Sequence, residues 1–211
     1  MADAKSLEEL AQPYYWDNRY RNSANGPTYE WFKPFTSLEP LLSSHLPKPA
    51  KDGEAPRILH LGCGNSRLPI DLHSIGYKNQ VCVDFSSVVI NDMAARFAGN
   101  DGIEWKVLDV RHMEDIKDGD FEVAIDKGTL DSMISGSMWD LPEDVKRNTR
   151  SYIDEVVRVL KPGGVFIYIT YRQPHFMKPT LIRDGTWDLA VVNLNKDAGT
   201  FEYFGFILTK K

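Results

Sequence analysis

Residues 58–68 read ILHLGCGNSRL: an apolar run, then Gly62 and Gly64, then the opening of a helical pattern. Strand, glycine turn and helix in that order form the first unit of a parallel α/β sheet. The alternation recurs downstream. Segments 57–61, 80–84, 104–108, 121–126 and 164–170 are short β-branched or apolar runs, and 68–75, 86–97 and 142–160 between them have helical periodicity. Two last runs, 186–194 and 200–209, flank NKDAG and predict a terminal antiparallel hairpin. The expected fold is α/β: a doubly wound, mostly parallel seven-stranded sheet with an antiparallel last strand.

Upstream of this pattern, SLEE at 6–9 matches a helix capping box and leads into the aromatic run YYWDNRY at 14–20. A second helix is predicted from about Thr36 to His45, before Pro47. The proline-rich stretch PKPAKDGEAP at 47–56 is a polar connector into the sheet, and LKPGG at 160–164 is read as a turn between the long helix and the fifth strand. The 211 residues are expected to form one domain. Residues 1–56 form its N-terminal helical layer and connector, and 57–211 its core.

Composition excludes several classes. With 42% hydrophobic and 26% charged residues the chain is ordinary globular protein. A net charge of −5 argues against a broad nucleic-acid surface, which needs clustered Lys and Arg, and fits a basic protein partner better. Cys63 and Cys82 match neither a metal-binding spacing nor a secreted disulfide framework, so no metal site and a reducing, cytoplasmic location are expected. The N-terminal residues lack an apolar export signal, and no stretch approaches the ~18 apolar residues of a membrane span.

The glycine turn carries the chemistry. Glycine lacks a Cβ, so a ligand can approach the backbone over the end of the first strand. An isolated GxG serves equally as a tight turn with no ligand. Asp84 changes the balance: it closes the next strand, VCVD, 22 residues after Gly62, where a carboxylate can accept both ribose hydroxyls of an adenosine. The third glycine of the dinucleotide fingerprint is Arg67 here, so a pyrophosphate fits poorly. S-adenosylmethionine has no pyrophosphate and needs only the GxG turn. Asp109, after the third strand, can bond the adenine amine and Val110 can offer a backbone amide; a turn aspartate explains Asp109 as well. Asp126 and Lys127 fall at the end of the fourth strand, where α/β sites are built.

Together, GCG, the strand-two acid, LDV, the strand-four segment and LKPGG resemble the class I S-adenosylmethionine-dependent methyltransferases across about residues 57–170. YWDNRY, YEWF, LGCGNS, VDFSSVVI and DKGTLDS are similar, more narrowly, to the eukaryotic lysine methyltransferases acting on translation elongation factor 1-alpha. That resemblance implies cofactor contacts at Trp16, Tyr20, Trp31, Gly62, Asp84, Phe85, Asp109, Val110 and Lys127, to which the glycine turn adds Gly64. The N-terminal aromatics would fold over the cofactor as a lid, and Phe85 would flank the adenine. His60 stands where many class I enzymes carry an acid, and the proline-interrupted segment QPHFMKPTLIRDG predicts a loop in place of the usual helix.

Asp126, Asp131, Tyr15 and Tyr29 are candidate acceptor-side groups, and none is assigned a catalytic role. The strand-four segment reads DKGT where methylases of nucleic-acid base amines carry an NPPY-type motif. Lysine methylation of a protein competes with methylation of a small thiol, hydroxyl or amine, and with a noncatalytic role as a cofactor-binding partner protein.

Overall fold

The structure, a computed structural model, describes residues 7–23, 26–49, 55–195 and 201–211. Three helices come first: α1 (Leu7–Leu10), α2 (Pro13–Asn22) and α3 (Phe35–His45). The sheet region runs β1 (Ile58–Leu61), α4 (Leu68–Ser74), β2 (Gln80–Asp84), α5 (Ser87–Arg96), β3 (Ile103–Val107), β4 (Phe121–Lys127), α6 (Thr129–Met133), α7 (Glu143–Val159), β5 (Leu160–Thr170), α8 (Pro174–Leu181), β6 (Trp187–Asn193) and β7 (Phe204–Lys210). The capping box at 6–9 lies partly outside the described residues, as does most of NKDAG.

The strands order as β3-β2-β1-β4-β5-β7-β6. The first five pair in parallel, and β7 runs against both β5 and β6, as the terminal hairpin requires. Strands covered on both faces must be apolar throughout. β1 and β2 are accordingly buried at every position. Along β1, Ile58 packs with α3 and α4 through Leu38, Leu42 and Leu72, whereas Leu59 and Leu61 pack on the opposite face with Tyr152, Ile153 and Val156 of α7. The long helix buries Val145, Thr149, Tyr152, Ile153 and Val156, a spacing of three and four that makes one apolar stripe. Among the described residues no helix is long and apolar enough to cross a membrane.

Four sequence expectations shift, the last strand among them, expected over 200–209 and found at Phe204–Lys210. β3 begins one residue early, because its alternating, half-exposed edge pattern leaves the boundary weakly marked. The LKPGG segment belongs to β5: Leu160 pairs with Phe121 and Val165 with Val123, so the extra residues form a bulge that Gly163 turns with φ +76°. The segment after β5 is helical, not a loop. Pro174 sits in the first turn of α8, where its missing N–H has no intrahelical partner to lose.

Candidate active site

Both glycines of the β1–α4 turn have positive φ, +63° at Gly62 and +50° at Gly64. Each is also hemmed in by the chain itself. A Cβ on Gly62 would lie 2.2 Å from the Thr129 hydroxyl oxygen, which donates to the Leu61 carbonyl at 2.7 Å. A Cβ on Gly64 would meet the Tyr20 hydroxyl at 2.8 Å. The turn therefore needs glycine for conformation and for protein packing, before any ligand is considered.

Asp84 closes β2 and is 4% exposed. One carboxylate oxygen accepts the Gly64 N–H and the other the Ser86 N–H, both at 3.0 Å. Burial raises its pKa to about 6, the two N–H donors oppose the rise, and the nearby Asp17 adds to it. Asp17 accepts a 2.5 Å hydrogen bond from the Ser86 hydroxyl, which fastens α2 to the start of α5.

Above the turn lies an aromatic layer. Trp16 sits 6.0 Å from Tyr20 and 5.8 Å, edge on, from Trp31, and its indole N–H donates to the Leu10 carbonyl at 2.7 Å. Tyr29 meets Trp31 at 5.0 Å, and the Arg19 guanidinium lies 5.3 Å from both rings. Burial, with the Asp84 charge second, pushes the Tyr20 hydroxyl pKa well up, so it stays protonated against the glycine turn.

Glu30, between Tyr29 and Trp31, is the junction that the sequence did not reveal. Its carboxylate accepts from the Lys127 ammonium at 2.9 Å, the Ser66 hydroxyl at 2.8 Å and the Arg67 N–H at 2.5 Å. Lys127 also donates to the Trp31 carbonyl at 3.0 Å. Burial lowers the Lys127 pKa, and Glu30 partly restores it. One loop carboxylate thus ties the glycine turn, the end of β4 and the aromatic layer together.

Past the end of β2, Phe85 is 40% exposed. Burial works against the Asp109 carboxylate, but hydrogen bonds from the Arg111 side chain and N–H prevail and hold its pKa below the usual range. Val110 is buried, and its N–H has no hydrogen-bond partner among the described residues. An unpaired amide beside an exposed aromatic and a carboxylate is the donor and acceptor set an adenine edge requires.

All ten expected contact residues, Trp16, Tyr20, Trp31, Gly62, Gly64, Asp84, Phe85, Asp109, Val110 and Lys127, line one cleft of about 270 Å³ at the carboxyl edge of the sheet. Of the four acceptor-side candidates, only Asp131 lines it. Asp126 is fully buried beneath α6, accepting from the Thr129 and Leu130 N–H groups and the Tyr152 hydroxyl at 2.7–2.9 Å. Tyr29 belongs to the aromatic layer, and the Tyr15 hydroxyl is buried with no hydrogen-bond partner among the described residues. His60 also lines the cleft, but its ring meets the Gln80 side chain at 2.6 Å, and burial lowers its pKa to about 4. It is a neutral core group, not a stand-in for an acid.

Residues 52–199 match the family described as "Methyltransferase domain". The mouse protein named "EEF1A lysine methyltransferase 4" is 40% identical over 170 residues, 80% of this chain and 64% of its own length. Its bovine counterpart is 38% identical over 164 residues, 77% of this chain and 62% of its own. The chain thus spans just under two thirds of the relatives it matches. A TehB-like SAM-dependent methyltransferase from Corynebacterium glutamicum superimposes with a TM-score of 0.61 at 18% identity, over 95% of this chain and 100% of its own, which speaks to the fold. On the family match and the identity to these relatives, this chain belongs to the methyltransferase domain family.

Proposed function

We propose that the chain binds S-adenosylmethionine in this cleft and methylates a lysine side chain of a protein, translation elongation factor 1-alpha being the acceptor named for its mouse and bovine relatives. The observation that carries the reading is the meeting of ten positions, drawn from α2, the Trp31 loop and the ends of β1, β2, β3 and β4, around one cleft. Asp84 takes the ribose hydroxyls on its remaining lone pairs, while Phe85, Asp109 and the Val110 N–H hold the adenine. Trp16, Tyr20 and Trp31 cover the methionine end, with residues 1–56 serving as lid and connector to a single domain.

When bound, the cofactor supplies a methyl group already activated by its sulfonium. The protein's task is alignment and water exclusion. An acceptor lysine must first lose a proton, and burial in an apolar cleft favours the neutral amine. Lys127 shows that effect on an ammonium in the same cleft. Asp131, Asp126, Tyr15 and Tyr29 are given no role as base. A cytoplasmic setting accompanies the reading, with both buried cysteines remaining free thiols.

The test is incubation of the purified chain with tritiated S-adenosylmethionine and purified elongation factor 1-alpha, followed by mass spectrometry of the labelled peptide. Label on a lysine of that protein supports the reading. No label on that protein, with label going only to small molecules when a cell extract is supplied instead, overturns it.

A further inference from the structure

The aromatic layer over the glycine turn is not the only ring cluster at the cleft. On the other side of β1, toward β5 and β7, four rings touch in a closed circuit. Phe32 meets Tyr171 at 5.5 Å, Tyr171 meets Phe201 at 5.9 Å, Phe201 meets Tyr203 at 5.4 Å, and Tyr203 returns to Phe32 at 5.7 Å. Phe32 and Tyr171 line the cleft.

Phe32 is held there deliberately. It is the one non-glycine residue with positive φ, +64°, among the described residues. Its ring packs on Gly128, where an added Cβ would lie 2.9 Å from it. A strained residue seated against an obligatory glycine is kept because its position matters.

Tyr171 follows the end of β5, and its ring is set by a chain of polar contacts. Asp131 accepts from the Tyr168 and Thr170 hydroxyls at 2.7 and 2.6 Å and pairs with the Arg172 guanidinium at 3.3 Å. Arg172 in turn lies 5.4 Å from the centre of the Tyr171 ring. The carboxylate is thus occupied, and Arg172 is held beside the Tyr171 ring by this ion pair together with its hydrogen bonds to the Asp131 and Ile134 carbonyls at 3.2 and 2.9 Å and to Met138 Sδ at 2.9 Å.

Place and chemistry then agree. With a nucleoside over the ends of β2 and β3, as proposed above, the rest of the cleft lies past β1 over the ends of β4 and β5, where Lys127, Gly128 and Tyr171 line it. The group met there is aromatic, and its rings already accept cations: Lys33 lies 4.8 Å from the Tyr203 centroid, as Arg172 lies near Tyr171. The two buried cations nearby, Lys127 and Arg172, are each paired with a carboxylate, so neither repels an incoming ammonium at full strength.

We propose that Phe32 and Tyr171 form the acceptor mouth of the cleft and select an alkylammonium side chain, its methylene stem against the two rings. The proposal rests on the lysine-methylating function above and adds the residues that choose the acceptor. Phe201 and Tyr203 support the pair from behind.

Steady-state methylation of purified elongation factor 1-alpha by the full chain tests it, alongside calorimetric affinity for S-adenosylhomocysteine. Tyr171→Ala is expected to raise the KM for the protein acceptor about tenfold, the loss of one desolvated cation–ring contact, with cofactor affinity within twofold of wild type. Tyr171→Phe should rescue most of that loss, and Phe32→Leu should repeat it. An unchanged KM in Tyr171→Ala overturns the proposal, as does a parallel loss of cofactor affinity, which would make Tyr171 a general structural residue. Failure of the wild-type chain to methylate the acceptor at all is a separate result, and removes the function together with this mouth.

Discussion

The Asp84 carboxylate accepts the Gly64 N–H at 3.0 Å, so the acid at the end of β2 and the glycine turn at the end of β1 are one bonded unit before any ligand enters. An acid that merely capped α5 would need only the Ser86 contact. The second bond fixes the turn relative to the group expected to hold the ribose.

Removing that carboxylate should therefore cost binding twice, through the ribose and through the turn. Asp84→Ala is expected to weaken S-adenosylmethionine at least tenfold, taking about 1–3 kcal/mol per orphaned buried partner. Titration calorimetry checks it. With a pKa near 6, wild-type affinity should also fall as pH drops below 6 and the carboxylate is protonated, and Asp84→Asn should flatten that dependence.

Gly64 offers a paired test of packing. Gly64→Ala adds a methyl 2.8 Å from the Tyr20 hydroxyl at a φ of +50°. The single variant should lose both stability and cofactor affinity. Adding Tyr20→Phe removes the clashing oxygen and should recover part of the stability in thermal unfolding, leaving only the conformational cost of about 1 kcal/mol. No recovery would show that the turn is limited by backbone strain alone.

Glu30 holds three donors from distant parts of the chain. Glu30→Ala should destabilise by about 2 kcal/mol, below the range for a fully buried pair because the Glu30 side chain is 23% exposed. For a chain of this size that lowers Tm by roughly 4–8 °C. In a double-mutant cycle with Lys127→Met the two losses should be less than additive; additivity would deny the pairing.

Stability itself should depend on pH with a definite sign. Burial raises Asp84 to about 6, Asp126 to about 7 and Asp131 to about 6, all above their unfolded values near ~3.9. Their contribution is whole below the unfolded value and is lost as pH rises through 6 and 7. Asp109, Glu122 and Glu155 are held low and oppose this in acid, below about pH 4, and His60, which burial lowers to about 4, opposes it between about pH 4 and 6.5, one group against the three raised carboxyls. Calorimetric Tm should be higher at pH 5 than at pH 8, and Asp126→Asn should narrow the gap.

Much of this was legible in the residues, and the omissions have physical causes. The parallel sheet announced itself because strands buried on both faces, such as VCVD, are apolar at nearly every position. The edge strand β3 lacks that signal and was displaced by one residue. Gly62 and Asp84 could be found because one supersecondary unit sets their separation. Glu30 could not: its partners lie 36, 37 and 97 residues away, joined only by the folded chain. Asp126 misled for a similar reason. An acid at a strand end suggests a site, and only the structure shows three donors from α6 and α7 enclosing it.

The most direct test of the account is a crystal structure of the chain with S-adenosylhomocysteine. Both ribose hydroxyls should lie within hydrogen-bonding distance of the Asp84 carboxylate, with the adenine against Phe85 and its edge on the Val110 N–H. A nucleoside bound elsewhere, or one whose ribose turns away from Asp84, would contradict it.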